Sequence, residues 1–236
     1  FSSLNTAAAQ SQATAGDLMG DARDEQQGVL PGVVVKATHR ATGLARSVTT
    51  GPDGQFAFRA LPVGTYTLEG QLAGFEPYQV SDIIVSLGTA TRITLTLRIA
   101  GQQYDVNVVA SRNLADPQQA GLGAVVDRSS LDQLPVNARN FLSYSLLTNG
   151  SSPDRTPQQG ASRTSGIVLA GQRARSNNVT VDGLDNNDET VGSVRAMFSQ
   201  DAVQEFQVLT NGFSAEFGKA AGGVVNVVTR SGTNTT

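Results

Sequence analysis

A single histidine, His39, and no cysteine stand against 20 acidic side chains, so this chain has little with which to run nucleophilic or thiolate chemistry. A Ser-His-Asp relay needs an imidazole within reach of a hydroxyl, and His39 falls at the frayed end of a predicted strand. No G-x-S-x-G, H-E-x-x-H or phosphate-cradling glycine loop occurs. Carboxylates are numerous enough for an acid/base pair, yet no spacing sets two of them across a pocket. Neither catalysis nor a cofactor is expected. The chemistry left is recognition.

Three segments could carry it. Tyr104, Asp105, Val106, Asn107, Val108, Val109 and Ala110 alternate in a polar stretch. Such a segment can add itself to the edge of a partner's sheet, with main-chain hydrogen bonds giving affinity and side chains giving selectivity. A last strand of the preceding domain, or a plain linker, is the competing reading. The second is the oxygen-rich run Asp182, Asp185, Asn186, Asn187, Asp188 and Glu189. Clusters of this type can hold calcium, but the spacing does not reproduce an EF-hand loop, and a solvated loop accounts for it as well. The third is Arg173, with Arg175 beside it. An exposed arginine without a fixed partner contributes little, so an ordinary surface arginine is the alternative.

The elements that must position these residues read mainly as β. Residues 16–99 form one module of about seven short strands with turn signals every 8–12 residues, the spacing of a β-sandwich. Val33, Val35 and Ala37 alternate with Val34, Lys36 and Thr38, and Phe56 and Phe58 share a face. Gly51-Pro52-Asp53-Gly54 is a turn in which Pro presets φ and Gly takes the positive-φ position. Phe56, Phe58, Tyr66 and Phe75 are expected to fill the core. Residues 100–120 read as a linker. Residues 121–236 read as an α+β domain with a small mixed sheet. It has strands at 125–127, 166–170 and 178–181, a short helix over 140–147 and a polar loop over 149–165. Residues 1–15 are either a disordered tail or the remnant of a secretion signal.

The tail is the most telling stretch. Glu205, Phe206, Gln207, Val208 and Leu209 make an alternating strand, and Phe217–Gly218 follows. Then Gly222–Gly223 precedes a second strand, Val224 to Thr229. Paired glycines between strands mean a sharp turn or a close approach of backbones. This order resembles the end of the plug domain of TonB-dependent outer-membrane receptors, as do the Asp182–Gly183 that ends NVTVDG and the earlier LPVNARN at 134–140. Residues 16–99 resemble the carboxypeptidase regulatory-like domain, a transthyretin-type sandwich, so the branch resembled is the Oar-like one.

The resemblance implies a TonB box at Tyr104–Ala110, gripped by the periplasmic domain of TonB. It also implies a plug that fills the chain's own C-terminal β-barrel in a longer polypeptide, with Arg173, Asp182, Glu205 and Arg230 as gating or barrel-contact residues. An outer-membrane location in a Gram-negative bacterium and an unidentified transported substrate follow from it. The second family arginine would fall at Thr210 or Asn211, where this chain has none. The competing function is a non-catalytic protein- or glycan-binding adhesion module. Net charge is −3 over 236 residues, and Lys36 and Lys219 are the only lysines. Nucleic acid is therefore not an expected partner, since phosphate binding demands clustered cations. No stretch approaches the ~18 apolar residues of a spanning helix.

Overall fold

A computed structural model of the chain describes residues 14–100, 123–126, 131, 141–154, 166–188, 193–213 and 215–233. It divides into two compact units. The first contains β1 (Ala15–Asp24), β2 (Val34–His39), β3 (Ala45–Thr49), β4 (Gln55–Pro62), β5 (Gly64–Gln71), β6 (Tyr78–Val85) and β7 (Ala90–Leu97). They form two sheets, in the orders β4-β1-β7 and β3-β2-β5-β6. Every pairing is antiparallel except that of β1 with β7.

Period-two alternation decides which side chains face inward. Val35, Ala37 and His39 of β2 are buried while Val34 and Lys36 are exposed, and Phe56 and Phe58 of β4 are buried between exposed neighbours. Val35, Ala37, Phe56 and Phe58 make one core cluster with Leu18, Tyr66, Leu68, Val85, Leu95 and Leu97, against which the partly buried Phe75 packs. Each leucine in it contributes on the order of 1.5–3 kcal/mol by leaving water. The turn after β3 behaves as its residues dictate. Gly54 has φ +71, and Asp53 Oδ1 accepts the Gln55 N–H at 3.1 Å.

β1 has no counterpart among the strands expected from the sequence. Its inward positions are Gly16, Leu18, Gly20 and Ala22, so half of them carry no apolar side chain for a pattern to register. The glycines are there for proximity. A Cβ on Gly20 would collide with the Ile93 carbonyl oxygen, and one on Gly16 with that of Ser86. His39 also departs from expectation. Far from fraying, it is 5% exposed and packs edge-on against Tyr66 at 4.9 Å. Its Nδ1 accepts the Thr42 N–H at 3.2 Å, and Nε2 lies 3.4 Å from the Val63 carbonyl.

The second unit contains, in chain order, β8 (Gly123–Val126), α1 (Phe141–Ser145), β9 (Ser151–Pro153), β10 (Ile167–Leu169), β11 (Asn178–Val181), β12 (Leu184–Asp185), β13 (Asn187–Asp188), β14 (Ser193–Val194), β15 (Val203–Leu209) and β16 (Val224–Thr229). A five-stranded sheet runs β12-β11-β16-β15-β8. β11 is parallel to β16, and the other pairs are antiparallel. Val179, Val181, Phe206, Val208, Val225 and Val227 share one face and pack with Leu142, Tyr144, Ile167 and Leu169. β16 lies in the middle of the sheet, and its first five residues are buried. The loop expected over 149–165 is not wholly irregular, because β9 pairs with β10. Its Ser-Ser-Pro composition hid this, since the pairing rests on main-chain bonds that side chains do not announce.

Candidate functional site

Asparagine doublets stand near both ends of β11, Asn177–Asn178 where it begins, Asn178 being its first residue, and Asn186–Asn187 just beyond β12. An asparagine side chain offers the same carbonyl acceptor and N–H donors as a peptide unit, and here each one replaces a missing piece of ladder. Asn177 accepts the Gly223 N–H at 3.1 Å and donates to the Ile167 carbonyl. Asn178 donates to the carbonyls of Phe217 and Gly218. Asn186 accepts the Ala196 N–H at 3.0 Å and donates back to the Ala196 carbonyl at 2.9 Å. Asn187 accepts the Val179 N–H at 3.0 Å and donates to Asn178 Oδ1 at 2.7 Å. Asn177, Asn178 and Asn186 are all buried, so these bonds satisfy groups that would otherwise cost ~1–3 kcal/mol each.

The glycine pair before β16 belongs to the same construction. Neither glycine has a positive φ, so the pair marks close approach and not a turn. A Cβ on Gly223 would stand 2.8 Å from both Leu169 Cδ1 and the Leu209 carbonyl oxygen, and one on Gly222 would strike Asn177 Oδ1.

The candidates named from the sequence fall in three places. Tyr104–Ala110 lies outside the described residues. Arg173 is exposed, at the N-terminal side of the one-turn 3-10 helix Ala174–Ser176 that precedes β11. Asp182, Glu205 and Arg230 gather at the opposite end of the sheet, where β11 and β16 finish and β15 begins. The two ends are the length of a six-residue strand apart, ~20 Å at 3.3 Å per residue.

At that far end Asp182 does specific work. Its backbone has φ +50, a conformation Asp tolerates better than most residues. Its carboxylate accepts the Thr229 N–H at 2.9 Å and the Thr229 hydroxyl at 2.7 Å. Arg230 follows, with its N–H donating to the Ala202 carbonyl at 2.9 Å. Glu205 is 4% exposed and sits opposite Val228, next to a register shift between Val203 and Glu205.

The oxygen-rich run after Asp182 is no uniformly solvated loop. Asn186 is buried, and Asp185 turns back on its own chain, Oδ1 accepting the Asn187 N–H at 2.8 Å. That N–H is the largest influence holding the Asp185 carboxyl below its ordinary pKa, with the Asn187 side-chain amide and the Lys219 ammonium, 3.7 Å away, adding to it. Among the described residues no three His, Cys, Asp or Glu side chains come together as a metal site would need. In the sequence Asn186 and Asn187 stand out only as oxygen donors in that run, and Asn177 and Asn178 not at all, though a signal existed: two Asn-Asn pairs stand near the ends of one apolar strand.

Comparison with known proteins supplies the family context. Residues 17–98 match the carboxypeptidase regulatory-like domain. The chain is 30% identical over 210 residues to the TonB-dependent transporter Oar of Myxococcus xanthus, an alignment covering 86% of this chain and 19% of that protein. It is 39% identical over 62 residues to human carboxypeptidase D, covering 26% of this chain and 4% of the enzyme. It therefore spans a fifth or less of the curated relatives it matches. Among solved structures the Bacillus anthracis TIE protein aligns with 36% of this chain and 17% of its own at 22% identity and a TM-score of 0.31, a likeness too low to carry functional weight. The chain thus bears a carboxypeptidase regulatory-like domain over residues 17–98 and is, over 86% of its length, a homologue of a TonB-dependent transporter.

Proposed function

We propose that this chain is the periplasm-facing and plug portion of a TonB-dependent outer-membrane transporter, gating energy-coupled passage of a substrate through the protein's own β-barrel. The observation that carries the reading is the 30% identity to a TonB-dependent transporter over 210 residues, a span too long for the sandwich alone to provide. In this reading the second unit is the plug, and residues 104–110 are the segment that TonB takes up by strand addition. Arg173 is exposed and makes no side-chain hydrogen bond or ion pair with the described residues, which suits a residue whose carboxylate partner stands on a barrel wall. Arg230 lies where the chain leaves the sheet, and Asp182, bonded to Thr229 just before it, would hold that exit in place, with the buried Glu205 at the same end of the sheet. The role is non-catalytic: the one imidazole is engaged within the sandwich core.

Capture by the purified periplasmic domain of TonB tests this. The wild-type chain is expected to be retained, and Val106→Pro is expected to escape, because proline removes a donor from the added strand. Equal retention of both, or of neither, removes the assignment of residues 104–110.

A further inference from the structure

Beside β10, β11 and the β13–β14 hairpin the second unit carries a half-open cavity of about 290 Å³. Ala174 and Val194, neither fully buried, contribute apolar wall, and Arg175, Lys219, Asp185 and Asp188 bring charge to it. The volume lies at the small end of ligand-holding pockets.

The four charges are not equally open. Asp185 Oδ1 is taken by the Asn187 N–H and side-chain amide, at 2.8 and 2.7 Å. Its Oδ2 faces Lys219 at 3.7 Å. Asp188 has an interaction of its own. The side chain of Arg175, exposed on the one-turn helix that precedes β11, makes no hydrogen bond or ion pair with any described residue. The open recognition group of the cavity is therefore a guanidinium, a planar fork that matches a carboxylate bidentately. An anion brought against an apolar wall must be paired to offset its desolvation. A ligand fits this arrangement if it carries one carboxylate and a hydrocarbon body.

We infer that this cavity binds small apolar carboxylates, with the carboxylate on Arg175 and the hydrocarbon against Ala174 and Val194. Such a group could belong to a straight acyl chain or to an N-acylated apolar amino acid. The site stands apart from the TonB reading. Loss of capture through residues 104–110 would leave carboxylate binding intact, and failure of carboxylate binding would leave that capture intact.

Calorimetric titration of the 236-residue chain with octanoate and with N-acetyl-leucine, each beside its neutral amide, tests the inference. At least one carboxylate should bind at least tenfold more tightly than its amide, and the preferred member identifies the source. Arg175→Gln should abolish that preference without changing the thermal melt, since the side chain is exposed, and Arg175→Lys should restore part of it. Three results would overturn the site: no binding of either carboxylate at millimolar concentration, amides as tight as acids, or an Arg175→Gln variant with wild-type affinity.

Discussion

The Tyr66 hydroxyl donates to the Pro62 carbonyl at 2.8 Å from a ring that is 1% exposed. Burial, opposed weakly by the Arg46 charge, pushes its pKa up from 10.0 to about 12. The folded state thus holds this proton more tightly than the unfolded chain does. The contribution is complete below pH 10 and drains away as pH rises towards 12. The sandwich should therefore lose stability through that window, measured by urea melts at stepped pH. Tyr66→Phe should flatten the loss while lowering stability at neutral pH by ~1 kcal/mol, because the Pro62 carbonyl loses its partner. Asp182 offers a second test. Asp182→Ala removes both bonds to Thr229 and leaves a non-glycine at positive φ, so the second unit should weaken by ~1–3 kcal/mol. Asp182→Asn retains an acceptor for the Thr229 N–H and tolerates the backbone, so it should stay near wild type. A charge-dependent role for Asp182 in the fold would bring Asp182→Asn down to the level of Asp182→Ala.

Elements differ in how openly they declare themselves. β2 and β4 were legible because valine and phenylalanine mark the buried face at period two, and β16 because a valine-rich run follows paired glycines. β1 was not, because Gly20 and Gly16 occupy inward positions where Ile93 of β7 and Ser86, just past β6, come too near for a side chain. Its hydrophobic record is erased by the contact that makes it a strand. The same limit applied to the site. Asp182 was legible as a residue of interest through Asp-Gly, yet its bond to Thr229 joins positions 47 apart in the chain. No local pattern encodes that. Asn186 lay inside a run that reads as acidic surface, and only tertiary pairing with Ala196 shows it to be buried. Gly20→Ala tests the element-level account. A methyl directed at the Ile93 carbonyl should cost ~1–3 kcal/mol as overpacking. Gly32→Ala, with φ +78 and nothing within 4 Å, should show backbone strain alone, ~1 kcal/mol. The contrast is read from paired denaturant melts.

On the scale of the molecule, the two core clusters share no residue. One contains Leu18, Leu68 and Leu95, the other Phe206, Val225 and Val227. Every β-ladder of residues 15–97 closes within that stretch, since the partners of β1 to β7 are all members of the same set. A domain keeps its fold when excised if it takes its whole core and all its strand partners with it. This stretch does so, and it exceeds the ~40 residues below which disulfides or metals are usually needed. Residues 14–100 made alone should therefore unfold in one cooperative transition, with a urea m-value in the ~1–3 kcal/mol/M range of small domains. Gly20→Ala should lower the midpoint of that fragment as it does in the whole chain. A fragment that melts without cooperativity, or that is indifferent to Gly20, would mean that the sandwich draws its order from residues beyond 100. The core of residues 15–97 would then not be the unit on which selection for a separate front domain could act.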